Sequence, residues 1–387
     1  MGNKSKKFST KCVHEGEIKD TMYQGIVSPL FMSTTYPWFG GDDPEKKPYP
    51  RYFNTPNQEF LSKKIASLEN GEKALIFTSG MAAISTSIMA NVKTGDHIVV
   101  QNDIYGGTRN FVQTEFDKFG IEYSFTDGLD PSSFSDQIKD NTVGIYLETP
   151  SNPLLKIVDL KSVSSIAKDN GVWTMIDNTF SSPVNQNPID HGIDIVLHSA
   201  TKYLGGHSDI SAGAVISTES RIEQILNSAK NFGGNLSDYT VWLLERSIKT
   251  LHIRVKEQTN NAKTLAKMLD ENTNISKVYY PGLESHPSHE IAKSQMNDFG
   301  GMMSFDLNNN IDVYDFLKSL NLVKPGMSLA GVESTVNFPM KTSHGLMTQK
   351  ERDIQGIGDK LIRLSVGIES YEDIYEDLDQ AIKSSIK

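Results

Sequence analysis

Five short, continuous apolar runs constrain this chain more than any other feature. They are Ala74-Leu75-Ile76-Phe77, Ile98-Val99-Val100, Val143-Gly144-Ile145-Tyr146-Leu147, Trp173-Thr174-Met175-Ile176 and Ile193-Asp194-Ile195-Val196-Leu197. Strands that lose both faces to packing read as unbroken apolar runs, whereas half-solvated strands alternate. A helical period leads into the first run (Phe60, Leu61, Ile65, Leu68), and a helix candidate from Met81 to Met89 follows it. Strands alternating with helices over residues 61–250 predict an α/β unit with a mostly parallel sheet covered on both faces. Such sheets collect ligands beyond the carboxyl ends of their strands. The polar residues that close each run are therefore the place to look for chemistry.

The flanks read differently. Residues 251–387 predict a long helix (Leu251 to Leu269), short strands and a last helix (Tyr371 to Ile386), a smaller α+β unit. Residues 1–60 lack a sustained period and hold Gly40-Gly41-Asp42-Asp43-Pro44 and Pro48, Pro50 and Pro56. So long an irregular stretch is unusual inside a compact domain, so it reads as an arm packed on something else, such as a neighbouring subunit. The first residues are polar and basic with no apolar stretch behind them, unlike a signal peptide. Lys6 stands where a myristoylation signal wants Ser or Thr. No apolar run approaches the 18 residues of a membrane span.

Charge and cysteine narrow the function. With 38 basic and 48 acidic side chains, the net charge of −10 argues against nucleic acid or an anionic membrane as partner. The single cysteine, Cys12, excludes a disulfide framework and fits a cytoplasmic protein. The nine histidines form no metal-ligand pattern, so no metal is expected.

Polar residues at the strand ends carry the candidate chemistry. Lys202 follows the fifth run by a few residues, between Ser199 and Thr201 and the glycines Gly205 and Gly206. Desolvation there lowers an amine's pKa and makes it a nucleophile; a solvated loop lysine is the plainer alternative. Asp177 closes the fourth run, where it can cap a helix or hold a proton on a heterocyclic nitrogen. Ser79-Gly80-Met81 opens a helix after the first run, an anion site by its backbone N–H groups or an ordinary cap. Tyr105 can stack on a ring or pack in the core. Arg363, inside an apolar strand pattern, requires an anion, either a structural carboxylate or that of a substrate. Together, an amine, a strand-end carboxylate, a phosphate-binding helix start, a stacking tyrosine and a carboxylate-binding arginine are the parts of a pyridoxal phosphate site.

The motifs resemble those of the trans-sulfuration enzymes of cysteine and methionine metabolism: cystathionine γ-synthase, cystathionine β- and γ-lyases, methionine γ-lyase and O-acyl-homoserine sulfhydrylases. The resemblance runs from about Phe8 to the C-terminus. Its most specific stretch is Ser199-Ala200-Thr201-Lys202-Tyr203 with Gly206-His207-Ser208-Asp209, similar to the family's pyridoxal-lysine signature. Ser79-Gly80-Met81, Tyr105-Gly106-Gly107, Glu148-Thr149-Pro150 with Asn152-Pro153, Asp177-Asn178-Thr179-Phe180, Leu251 with Arg254, Tyr280-Pro281-Gly282 with His286-Pro287, and Arg363-Leu364-Ser365-Val366-Gly367 also match.

The resemblance implies a fold-type-I transferase architecture with pyridoxal 5'-phosphate as cofactor. It implies that Lys202 forms the Schiff base, Asp177 pairs with the pyridine nitrogen and Tyr105 stacks on the ring. Ser79, Gly80, Met81, Ser199 and Thr201 would hold the phosphate, while Asn152, Ser328 and Arg363 would receive the amino-acid substrate. Tyr49 and Arg51 on the arm would reach a neighbouring subunit's phosphate, giving a homotetramer of dimers with shared sites. Tyr105 or Tyr49 would protonate a departing sulfur. Three positions depart from the pattern: Asn54-Thr55-Pro56 after the arm's Tyr–Arg pair, Met327 where many synthases and γ-lyases carry glutamate, and Gly107 where methionine γ-lyases carry cysteine. The expected activity is a carbon–sulfur lyase acting on cystathionine or related thioether amino acids. A γ-replacement transferase shares every residue named, and a non-catalytic pyridoxal phosphate carrier is the remote third alternative.

Overall fold

A computed structural model describes residues 6–38, 47–345 and 347–387. The turn-rich stretch Gly40–Pro44 and the first five residues lie outside the described residues.

The five apolar runs and two strands not foreseen, β3 and β7, form a seven-stranded sheet, comprising β1 (Lys73–Phe77), β2 (His97–Gln101), β3 (Glu122–Thr126), β4 (Thr142–Glu148), β5 (Trp173–Asp177), β6 (Ile195–His198) and β7 (Gly213–Ser217). Their spatial order is β1-β7-β6-β5-β4-β2-β3, with β3, β2, β4, β5 and β6 parallel and β7 antiparallel to both of its neighbours. Every residue of β2, β5, β6 and β7 is buried, as continuous apolar runs require. The fifth run starts as a strand two residues later than expected. Asp194 is turned aside, and its Oδ2 accepts a hydrogen bond from the Thr174 N–H at 2.8 Å.

A second sheet comprises β8 (Ile275–Tyr279), β9 (Met302–Leu307), β10 (Lys324–Pro325), β11 (Thr335–Asn337) and β12 (Leu361–Ser365), in the order β10-β11-β12-β9-β8. The helix Leu251–Asp270 joins the two sheets; its 20 residues span about 30 Å. Leu251 and Val255 on its first turns belong to the core of the first sheet. Ala262, Leu265, Ala266 and Leu269 belong to that of the second. The last helix ends at Ser384, and Ile386 instead bridges Ile311.

The N-terminal stretch is less irregular than its sequence reads. Phe8–His14 is a helix whose Cys12 is buried in the first core. Seven residues are too few to display a period or to be stable alone. Tertiary contact holds it: the Lys64 amine, fully buried, donates to Cys12 O at 3.0 Å and Val13 O at 3.2 Å, carbonyls near the helix end. The helix Pro56–Leu68 also begins inside this stretch. Thr55 caps it, Gln58 Oε1 accepts from the Thr55 N–H at 3.2 Å, and Pro56 takes the first turn. The Asn54-Thr55-Pro56 departure is thus a helix start. Asn54 Oδ1 accepts from the Tyr49 N–H at 2.7 Å and folds the preceding turn onto it. Among the described residues, no helix is long and apolar enough to cross a membrane.

Candidate active site

One pocket lies at the carboxyl ends of β1, β4, β5 and β6, closed on the far side by loops of the second sheet. Asp177 is the last residue of β5. Its Oδ1 accepts from the Thr179 N–H at 3.0 Å. Burial raises its carboxyl; Thr179, His198 and Lys202 act the other way. Ser199, after β6, donates its N–H to Thr179 Oγ1 at 2.8 Å, which ties the two strand ends together.

Lys202 enters the pocket from the turn after β6, and its Nζ donates to Ser328 Oγ at 2.8 Å. Burial, followed by the charge of Arg363, lowers this amine to about 8, against the pull of Asp177. A solvated lysine would keep its ordinary value, so the local environment is that of a nucleophile.

The helix Gly80–Ala90 starts directly after β1. The Ser79 hydroxyl accepts from the Ala82 N–H at 3.0 Å. The N–H groups of Gly80 and Met81, both pocket-lining, precede any intrahelical partner and are available to an anion. Close approach explains two glycines. A Cβ on Gly80 would stand 2.7 Å from Ser199 Cβ, and one on Gly213 would stand 2.0 Å from Ser79 O. Thr201 lines the same corner, but its hydroxyl donates to Ala212 O at 3.1 Å and accepts from the Ala212 N–H at 3.0 Å. An anion there reaches it only if that hydrogen turns away.

Tyr105 precedes the helix Gly106–Phe119 and is 42% exposed at the pocket. A Cβ on Gly107 would fall 2.5 Å from Tyr105 Cε1. A cysteine at 107 would require this ring to move, so Gly107 leaves room for the ring where it stands.

Arg363 lies on β12, 2% exposed, and its Nη1 donates to Asn152 Oδ1 at 3.0 Å. Burial lowers it to about 10, against the charge of Glu148. Its Nε is buried without a hydrogen-bond partner. Asn152 follows β4, and Ser304 on β9 donates to the next carbonyl, Pro153 O, at 2.7 Å. Met327 lines the mouth, 75% exposed.

Tyr49 and Arg51 are not brought to this pocket. Arg51 Nη1 donates to Lys230 O at 2.7 Å, and its guanidinium lies 5.7 Å from the Tyr49 ring and 5.2 Å from that of Tyr52. Glu148, which closes β4 and enters the sequence reading only as part of a matching motif, and Ser343, from a loop near the second sheet, line the pocket and had no role assigned from the sequence. Glu148 obeys the same strand-end rule that found Asp177. Ser343 carries no local signal.

The lysine amine, the strand-end carboxylate, the open helix start and the orphaned Arg363 Nε fit pyridoxal phosphate bound with an amino acid. A mostly parallel α/β sheet bearing that set defines a pyridoxal-phosphate-dependent enzyme. Residues 9–383 match the family described as Cys/Met metabolism PLP-dependent enzymes, and the chain belongs to it. It is 41% identical over 377 residues to a cystathionine beta-lyase of Lactococcus lactis subsp. cremoris (strain MG1363), covering 97% of this chain and 99% of that protein. It is 40% identical to a cystathionine gamma-lyase of Bacillus subtilis (strain 168), covering 98% and 100%. A crystal structure of cystathionine gamma-lyase from Lactobacillus plantarum, complexed with L-serine, superposes with a TM-score of 0.95 at 37% identity, covering 98% of this chain and 99% of that one.

Proposed function

We propose that this protein is a carbon–sulfur lyase that, with one water, cleaves cystathionine or a related thioether amino acid to a keto acid, ammonia and a thiol. The observation that carries the reading is the Lys202 amine, lowered to about 8 and placed in one pocket with Asp177 and Arg363. Pyridoxal phosphate, when bound, supplies the electron sink that lets the substrate's Cα lose a proton. Gly80 and Met81, by their N–H groups, and Ser79, Ser199 and Thr201 would hold its phosphate. Asp177 would keep the ring nitrogen protonated, and Tyr105 would stack on the ring.

Lys202 would hold the cofactor, and its amine, when free, would take the substrate's Cα proton as general base. Ser328 holds that amine in place. Arg363 and Asn152 receive the substrate carboxylate, the anion that the partnerless Nε lacks. A sulfur on Cβ then leaves directly; a sulfur on Cγ leaves after a second proton is taken from Cβ. Tyr105, or Tyr49 from a neighbouring copy, gives the thiolate its proton.

The arm, residues 1–60, supplies Tyr49 and Arg51 to the neighbour's site. Residues 61–250 form the large cofactor-binding domain and residues 251–387 the small one. The assembly is a homotetramer of dimers, and the protein is cytoplasmic. Supporting the shared site, Arg51 lies outside its own chain's pocket, while Met22, Tyr23, Ile26 and Met32 of the arm are largely exposed.

Incubation with cystathionine and identification of the products tests this. Homocysteine with pyruvate means β-cleavage, and cysteine with 2-oxobutyrate means γ-cleavage. Turnover only with an added thiol and an activated homoserine would replace the lyase reading with γ-replacement.

A further inference from the structure

Glu148 lines the pocket with no task in the mechanism above. It ends β4 beside Asp177, its register partner on β5, and is 3% exposed. Its Oε2 accepts from the Tyr105 N–H at 2.7 Å. Its Oε1 accepts from the Asn152 N–H at 3.2 Å. Asn152 in turn accepts from Arg363 Nη1 at 3.0 Å. The Glu148 N–H donates to Gln101 Oε1 at 3.0 Å, which fixes the strand end from which the side chain reaches. Two loops thus meet on one carboxylate, the loop before the helix Gly106–Phe119 and the loop after β4, and β12 of the second sheet joins them through the Asn152 side chain.

We propose that Glu148 is a positioning residue that holds Tyr105 and the Asn152–Arg363 pair as one unit, so that ring stacking and carboxylate recognition fail together when its two acceptor oxygens are lost. The inference rests on the proposed roles of Tyr105, Asn152 and Arg363. Both oxygens must accept, because both partners are backbone N–H groups. A glutamine offers one acceptor oxygen and turns an NH2 donor on the other N–H. One buried N–H then goes unpaired, and the loop that bears it shifts.

The test uses full-length protein loaded with pyridoxal phosphate. L-alanine, and ethylamine, which presents an amine on the same two carbons without a carboxylate, are titrated and read by the change in cofactor absorbance. The ratio of their dissociation constants measures carboxylate preference. Glu148→Gln should lower that preference about tenfold, the cost of one lost hydrogen bond to a charged partner's support, and should also weaken cofactor retention on dialysis. Adding Glu148→Gln to Arg363→Ala should lower the preference no further, because the two act on one interaction. Glu148→Asp, too short to reach both N–H groups, should lose several-fold in the same cycle and carries the test if the amide variant does not fold. A folded Glu148 variant with unchanged preference overturns the proposal, as does an equal further loss on top of Arg363→Ala. If Arg363→Ala alone keeps full preference, the reading of Arg363 fails and takes Glu148's role with it. That result is distinct from one in which Arg363→Ala loses the preference and Glu148→Gln retains it.

Discussion

At Lys202, a single amine meets opposing pressures. Burial and Arg363 favour its neutral form, and Asp177 favours the charged one, with the balance at about 8 against an ordinary 10.5. The neutral fraction therefore rises with pH through about 8 and levels off above it. Cofactor-free protein should bond to pyridoxal phosphate at a rate that follows this curve, trapped by borohydride and read as mass added at Lys202. A rate still climbing towards 10.5 would mean an unperturbed lysine. Lys202→Ala should abolish turnover while retaining some non-covalent cofactor; full activity would end the lysine's assigned role. Met327 lines the pocket where the other end of the proposed substrate would lie. Glutamate there can pair with the distal ammonium of cystathionine, but a thioether is only a weak acceptor and offers a soft surface to an uncharged tail. A charge-assisted hydrogen bond contributes about 1.5–3 kcal/mol. Met327→Glu should therefore raise cystathionine turnover, relative to a mono-amino thioether, by about tenfold or more. An unchanged or lower ratio would show that another residue reads the distal group.

Among the elements, the packing of β7 against the start of the helix Gly80–Ala90 leaves no room for a side chain at Gly213. Gly213→Ala must push one away from the other. Overpacking of this kind costs roughly 1–3 kcal/mol. The variant should melt lower without cofactor and bind pyridoxal phosphate more weakly; a melting point and affinity equal to those of the parent would contradict the contact. This strand also marks where sequence reading runs out. The parallel strands β2, β4, β5 and β6 were legible because burial leaves unbroken apolar runs, whereas β3, part-exposed and mixed in sequence, was not among the runs. Gly213-Ala214-Val215-Ile216 has the same character, yet nothing local signals that it runs antiparallel. Phe8–His14 stayed hidden because its partner, Lys64, lies some fifty residues away. The site residues at strand ends were legible one by one. The hydrogen bonds linking Tyr105, Glu148, Asn152 and Arg363 were not, since three elements distant in sequence make them.

For the whole molecule, Arg51 is where the proposed shared site can be tested. Arg51→Ala should loosen the cofactor although Arg51 rests on Lys230 O in its own chain. Mixed with Lys202→Ala chains, it should regain activity, since a hybrid pair contains one site with both residues intact. Confirmed subunit exchange with no regained activity would count against a shared site. The helix Leu251–Asp270 carries a further consequence. Its first turns complete one core and its last turns the other. Neither sheet can melt without stripping apolar surface from a rod the other needs, so the chain should unfold as one cooperative body rather than in two stages. Near-ultraviolet and far-ultraviolet signals should then share a single midpoint, and two separated transitions would contradict this. Partial melting could not leave a chain that keeps its cofactor yet no longer recognises amino acids: loss of order in the substrate-recognising half would release the cofactor as well.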